Sequence, residues 1–182
     1  MTLLETSFTE RLEIRPLTSD DYDVWISGFK NRLKKQNAFD SDDIDVSDWD
    51  EDFYDNVIKE LNELAEKDTA YVLGVFLRDT GEHIGKLEFT VLQRGRFEWG
   101  VLGYLIHNQY WNNGYASEML SVIEQMGSKL KFHRVEAHIH PDNIASIKVI
   151  EKHDFLFEGM RKSFMYEDNQ WNDYLIFSKI IE

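Results

Sequence analysis

The 182-residue chain contains no cysteine. That excludes a disulfide framework, a zinc–thiolate site and a cysteine nucleophile, and it fits a reducing compartment. Long apolar runs are missing as well; none reaches the ~20 residues that a membrane helix needs. The opening "MTLLETSFTERLEIRP" has neither a basic start nor an apolar stretch, so it does not read as a secretion leader. A soluble cytoplasmic protein with no membrane partner is expected. Positive charge is short too: 20 Lys and Arg stand against 34 Asp and Glu, a net charge of −14. Such a field repels phosphate backbones, which argues against nucleic-acid partners, and it favours cationic ones. Nor is there a repeat, a low-complexity linker or a composition shift. One domain spanning 1–182 is expected, with 42% hydrophobic residues to build its core. A homodimer is compatible with all of this, and nothing in the sequence decides it.

What is present is a change of period along the chain. Leu12 and Ile14 read as a short strand ending at Pro16. "TSDD" then supplies helix-start chemistry, and Tyr22, Trp25, Ile26 and Phe29 recur at helical spacing over about 19–34. An acidic block, "FDSDDIDVSDWDEDFYD", leads into a second helix with Phe53, Val57, Leu61 and Leu64 on one face. It is not a calcium loop: counted from Asp40, the required glycine is Asp45 and the fifth position is Ile44. A solvated acidic face or a lip that attracts a cationic substrate are the two readings left. From Tyr71, alternation predicts two strands joined at Asp79–Gly81, then a third β run over 96–107 in which Gly100 and Gly103 suggest a bulge or a close approach.

The stretch "NQYWNNGYASEML", 108–120, is the most informative. Gly114 lets the backbone turn, and asparagine is the non-glycine residue that best tolerates positive φ. A helix then begins, with Ala116, Met119, Leu120, Ile123, Gly127 and Leu130 as its apolar stripe. A strand, a glycine-containing loop and a helix start make an anion site from unpaired amides. The same residues also make an ordinary β–α connection. A Walker loop is excluded because no Gly-Lys-Ser/Thr follows, and a dinucleotide fingerprint because the spaced glycines are missing. After this unit come the strand "RVEAHI", a helix opening at Asn143, and two last strands near 155–166 and 174–181.

At this point the sequence resembles a known family. "GYLIHNQYWNNGYASEML" followed by "HRVEAHIHPDNIASIKVIEKHDFLFEGMRKSF" looks like the RimJ/RimL-type branch of the GCN5-related N-acetyltransferases, over roughly Ile84 to the C-terminus. The resemblance implies a mixed α/β fold with a central, mostly antiparallel sheet splayed at the cofactor site. It implies acetyl-CoA as co-substrate and no metal. Backbone groups of Leu105 and Ile106 would pair with the pantetheine arm. Amides of Trp111, Asn112, Asn113, Gly114, Tyr115 and Ala116 would hold the pyrophosphate. Asn143 would contact the cofactor's arm, and Ser146 would lie near the thioester sulfur. There are departures. Asn112 replaces the usual glycine and Asn113 the usual Lys or Arg, so the loop is expected to have no fixed cation beside the phosphates. Asp154 stands for the glycine before Phe155, and Ile150 for a tyrosine common in the wider family.

Acetyl transfer to an amine needs a proton acceptor, donors for the developing oxyanion and help for the departing thiolate. With no cysteine, direct transfer in a ternary complex is the simpler route. Ser146 is the candidate for assisting the thiolate, against a plain helix-surface role. Glu98 is the first candidate base and Glu88 the second, against solvent-facing strand glutamates or a water chain. His138 and His140 share a strand face, but two histidines without a third ligand make thin evidence for metal, and a polar strand face is the better account. Trp111 reads as packing more than as a cofactor cover, and Trp49, Trp99 and Trp171 as core or cover more than as an acceptor pocket. The implied acceptor is a protein N-terminal amine, as on a ribosomal protein, or a small cationic amine. The rival is a non-catalytic acyl-CoA-binding or regulatory module on the same fold.

Overall fold

The computed structural model describes residues 5–182. The first four residues of the segment read above as lacking a leader lie outside them. Two short strands, β1 (Ser7–Phe8) and β2 (Leu12–Arg15), precede helices α1 (Tyr22–Lys30) and α2 (Glu51–Glu66). Then come β3 (Ala70–Leu77), β4 (His83–Gln93) and β5 (Trp99–Ile106). Helices α3 (Tyr115–Leu120) and α4 (Ile123–Lys129) lead to β6 (Arg134–Ile139), α5 (Ile144–Glu151), β7 (Leu156–Glu167) and β8 (Gln170–Ile180). Among the described residues, no helix is long and apolar enough to cross a membrane.

The strands form one sheet in the order β1-β2-β3-β4-β5-β6-β8-β7. Only β5 and β6 are parallel neighbours; the other pairs are antiparallel. The parallel pair meets at just Trp99↔Arg134, Gly100↔Val135 and Val101↔Glu136. Beyond that, β5 runs on paired with β4, and β6 runs on paired with β8. The two strands part and leave a notch. The main core lies on one face, where Leu73, Leu87, Leu102, Val135 and Phe177 meet Met119, Ile123, Met126 and Ile150 of the helices. On the other face α1 and α2 pack against β4 and β3, around Trp25, Ile26 and Tyr54.

Some expectations shift. The buried anchor of α2 is Tyr54 rather than Phe53. Asp50 caps the helix by accepting from the Phe53 amide at 2.9 Å, and the Tyr54 hydroxyl reaches the Thr18 carbonyl at 3.0 Å. Phe53 stays half-exposed, stacked on Trp49. The helix expected after Gly114 is broken at Ser121. Its hydroxyl donates to the Glu118 carbonyl at 2.7 Å, in competition with the helical ladder. The apolar stripe survives the break: Met119, Leu120, Ile123, Gly127 and Leu130 are all buried.

Gly100 does mark a close approach, opposite a register irregularity at Val91–Gln93. A Cβ there would stand 2.6 Å from the Phe132 ring. Gly100→Ala is expected to cost about 1–3 kcal/mol through overpacking, seen as a lower urea midpoint. An unchanged midpoint would mean that Phe132 moves aside freely.

Candidate active site

The edge of β5 that faces the notch follows from its ladder. The His107 amide donates to the Ile84 carbonyl at 2.8 Å. Antiparallel pairing alternates, so Leu105, opposite Lys86, also turns its N–H and C=O toward β4. The Leu105 carbonyl would stand 2.1 Å from a Cβ placed on Gly85, which agrees. The expected role of Leu105 in pairing with the cofactor's arm is therefore corrected: Tyr104 and Ile106 face the notch instead. The Ile106 carbonyl accepts from the Trp111 indole at 2.7 Å, so Trp111 packs on the core and caps a strand end.

The loop beyond has two left-handed residues, Asn112 at φ 63° and Gly114 at φ 79°. Asn113 does a different job. Its side-chain amide donates to the Tyr110 and Trp111 carbonyls at 3.0 Å each. The Trp111 amide is spent on Asn108 O at 3.3 Å. Those of Asn112, Asn113, Gly114, Tyr115 and Ala116 have no acceptor among the described residues. The expectation that no cation stands beside this loop is overturned. Arg11, from the β1–β2 turn, donates to the Asn113 carbonyl at 3.0 Å and lies 4.5 Å over the Tyr115 ring. Glu118 holds it there through Nε at 2.6 Å, and also accepts from the Arg11 amide and the Thr9 hydroxyl. Burial pushes the Glu118 carboxyl up, but those hydrogen bonds outweigh it and hold the group below its usual value.

The notch opens into a cleft of about 520 Å³, inside the usual range of about 300–1,000 Å³ for small-ligand sites. Gly103 and Tyr104 of β5 line it, with His138 of β6 and His140 just beyond that strand. Asn143 and Ser146 close one end. Asn143 caps α5 by accepting from the Ser146 amide at 3.2 Å, and the Tyr104 hydroxyl donates to the Ser146 carbonyl at 3.4 Å. The α1–α2 connection, including Phe39 and Asp42, forms one wall, and Glu167, Asp168 and Tyr174 form another. The Phe39 ring lies 5.2 Å from that of His140 and bridges the two sides.

Glu98 is not part of this cleft. It lies at the opposite end of β5, in the β4–β5 turn, where its carboxylate accepts from the Gly95 amide at 2.9 Å and from Arg94 at 3.1 Å. Its assignment as a base is corrected, because a strand puts its two ends on opposite edges of the sheet. Glu88 is better placed, beside Gly103 on the cleft side, but it is paired with Lys86 at 3.0 Å. Trp49, Trp99 and Trp171 do not line the cleft. Among the described residues, no group of three or more His, Asp or Glu side chains is arranged to share a metal ion.

Asn108 escaped the sequence reading. It is buried, and its amide is saturated: Oδ1 accepts from the Leu33 amide at 2.8 Å, and Nδ2 donates to Leu33 O and to Asp40 Oδ2, both at 2.8 Å. Asp40 also takes Arg32 at 2.6 Å and the Gln36 amide at 3.0 Å. This ties the α1–α2 wall of the cleft to the start of the loop that follows β5. Arg32 also meets His107 Nδ1 at 3.3 Å, and His107 Nε2 meets His83 Nδ1 at 3.4 Å. Arg32 can only donate, so His107 accepts on Nδ1 and donates from Nε2. Burial pushes His83 down to about 4 and His107 down to about 3. The one signal in the sequence was the position of Asn108 at a strand end; its partners lie 68–75 residues away.

This geometry has known counterparts. The family profile described as "Acetyltransferase (GNAT) domain" matches residues 11–156. The chain belongs to the GNAT acetyltransferase family. This acetyltransferase is 27% identical over 180 residues to an uncharacterized N-acetyltransferase, p20, of Bacillus licheniformis, covering 96% of each chain. It is 31% identical over 117 residues to the [ribosomal protein uS5]-alanine N-acetyltransferase of Escherichia coli, covering 64% of this chain and 60% of that one. Mycobacterium smegmatis RimJ, solved in complex with CoA-disulfide, shares its fold at TM-score 0.74 and 19% identity, covering 93% of this chain and 81% of that one. The relatives to which this acetyltransferase is similar thus include RimJ/RimL-type enzymes.

Two outcomes follow for the acetyltransferase. Asn108→Ala leaves Asp40 and both the amide and the carbonyl of Leu33 short of a partner, so a loss of about 1–3 kcal/mol is expected. It should come with a raised KM for the acceptor, because the wall loses its anchor; equal KM and stability would contradict the anchoring role. Stability should also fall as pH drops from 6.5 toward about 4. There the unfolded chain protonates imidazoles that His83 and His107 keep neutral, so the unfolded state gains. Urea midpoints across that window, with His107→Asn as the control that flattens the slope, check this.

Proposed function

We propose that the protein transfers the acetyl group of acetyl-CoA to a primary amine by direct transfer in a ternary complex, with the whole chain acting as one N-acetyltransferase domain. The observation that carries this reading is the notch where β5 and β6 part, with free amides of 112–116 at its mouth. Its residues fit the acetyl carrier. Among the described residues five amides lack partners, a Cβ on Gly114 would meet just Arg11, at 3.6 Å, and Arg11 adds positive charge. Backbone groups of Tyr104 and the Ile106 amide would hold the arm, in the manner of an added strand. Asn143 would orient it. The Ser146 hydroxyl, which has no partner among the described residues, would support the departing sulfur.

When bound, acetyl-CoA supplies an acetyl group activated as a thioester. The acceptor is an N-terminal amine of a protein. The relatives that act on ribosomal-protein N-termini support this class, and so does an open, polar cleft edged by Asp42 and Asp168. An ammonium-bearing chain end suits such an edge by charge.

Calorimetry with acetyl-CoA, together with thiol release over a panel of N-terminal peptides and small amines, tests the reading. Binding with turnover on peptides is expected; binding without turnover on any amine would assign the fold to a non-catalytic role. Gly114→Trp should abolish CoA binding while the far-ultraviolet spectrum is kept. Unchanged affinity would remove the loop from the site.

A further inference from the structure

We infer that His138, held by the buried carboxylate of Glu136, is the general base that takes the proton from the acceptor amine. This deepens the acetyl-transfer reading and rests on it. His138 and Glu136 are two residues apart on β6, so they point to the same face of the sheet. That face also carries Gly103, across the notch. His138 Nε2 lies 2.8 Å from Glu136 Oε2. Glu136 is 2% exposed. Its other oxygen takes Arg134 Nε and Nη2 at 3.1 and 2.8 Å, and Arg161 approaches Oε2 at 3.3 Å. Two guanidiniums therefore keep this carboxylate ionised in a closed site. Burial pushes its carboxyl up, yet the hydrogen bonds from His138 and Arg134 and the neighbouring charges carry it below the usual range.

An ionised carboxylate can only accept. Arg161 Nη1, which can only donate, also lies 3.4 Å from Nε2, but the carboxylate is the closer partner, so the neutral imidazole carries its proton on Nε2 and Nδ1 is left with a free lone pair. Nδ1 has no partner among the described residues, and it is not among their buried polar atoms left unpaired. His138 lines the cleft, so Nδ1 opens on it. The ring is pinned edge-on against Phe164 at 5.2 Å. A buried carboxylate that orients an imidazole toward an open cleft is the arrangement a base requires.

The carboxylates nearby are less suited. Asp40 is committed to Arg32, Asp42 to Lys35 and Glu88 to Lys86. Glu167 takes the hydroxyl of Tyr174. His140 Nδ1 already accepts from the Asp142 amide at 3.2 Å, which leaves that ring a donor toward the cleft.

The proton count closes. The acceptor arrives as R–NH3⁺, and His138 Nδ1 takes one proton to give R–NH2. The nitrogen lone pair forms the C–N bond to the acetyl carbon, and the C–S bond breaks with its electron pair going to sulfur. The nitrogen's surplus proton neutralises the thiolate. His138 returns its own proton to water at the cleft mouth. Glu136 does not touch the substrate; it is a positioning residue.

The charged groups around the imidazole are Glu136 and Arg134 on β6, Arg161 and Glu158 on β7, and Lys35, Asp42 and Asp168 at the cleft edge. The test uses the full chain, acetyl-CoA and a peptide amine that the wild type acetylates. His138→Ala should lower kcat by about 100-fold or more, with unchanged CoA affinity by calorimetry and the native far-ultraviolet spectrum kept. Added 4-methylimidazole should restore part of the rate. The acid limb of the wild-type rate profile should vanish in His138→Gln. Independently of turnover, ¹⁵N NMR of the free protein should find the neutral His138 ring protonated on Nε2, and Glu136→Gln should disturb that preference. A His138→Ala rate equal to wild type, or a loss without rescue and matched by lost CoA binding, overturns the proposal. So does a ring protonated on Nδ1. If the wild type itself turns over no amine, the acetyl-transfer reading fails first, and the inference with it.

Discussion

Everything at the site depends on one fact of strand pairing: β5 cannot stay paired with both neighbours. It pairs with β4 as far as Ile106, and with β6 for three residues only. Backbone groups that leave a ladder must find other partners or face water. The Trp111 indole takes the Ile106 carbonyl. The rest, on Tyr104 and the Ile106 amide, turn toward the notch. The parting also explains why the loop after β5 matters. Once the strand ends without a lateral partner on the β6 side, the turn into α3 sits at the mouth of the notch, with its amides unspent.

A second constraint holds the α1–α2 wall of the cleft. Asp40 is a buried charge, and a buried charge needs a full set of partners. Arg32, Asn108 and the Gln36 amide supply them. The result is that the acidic stretch read as a solvated face divides into parts with different roles. Asp40 is an internal staple, Asp42 edges the cleft, and Asp50 caps α2. Only a few of these acids are therefore left to set the charge at the cleft edge.

The sequence was most legible where backbone conformation restricts residue choice. Asn112 and Asp154, both standing where the family usually has glycine, sit at φ 63° and 62°, so the departures keep the backbone the glycines served. The strand periods, the turn at Asp79–Gly81 and the close approach at Gly100 were legible for the same reason. What alternation alone does not say is which backbone edge of a strand faces a neighbour, hence the exchange of Leu105 for Tyr104. It also does not say which end of a strand lies at the site, hence the loss of Glu98. Long-range pairs were beyond reach: Arg11 and Glu118 lie 107 residues apart, and no local pattern connects them. Yet that pair supplies the cation whose absence the loop's own residues suggested.

The placement of the titratable groups also bears on how the chemistry is divided. A carboxylate that accepts several hydrogen bonds is stabilised in its charged form, and is a weak base for that reason. Asp40 is of this kind: burial pushes its carboxyl up, but Gln36, Asn108 and Arg32 together bring it below the usual range. Glu136 has the same character. It cannot take an amine proton well, but its fixed negative charge can orient an imidazole that does. A strongly acidic chain thus gains basicity at one point by spending a carboxylate on position. The motif "HRVEAHIHP" finds its use there.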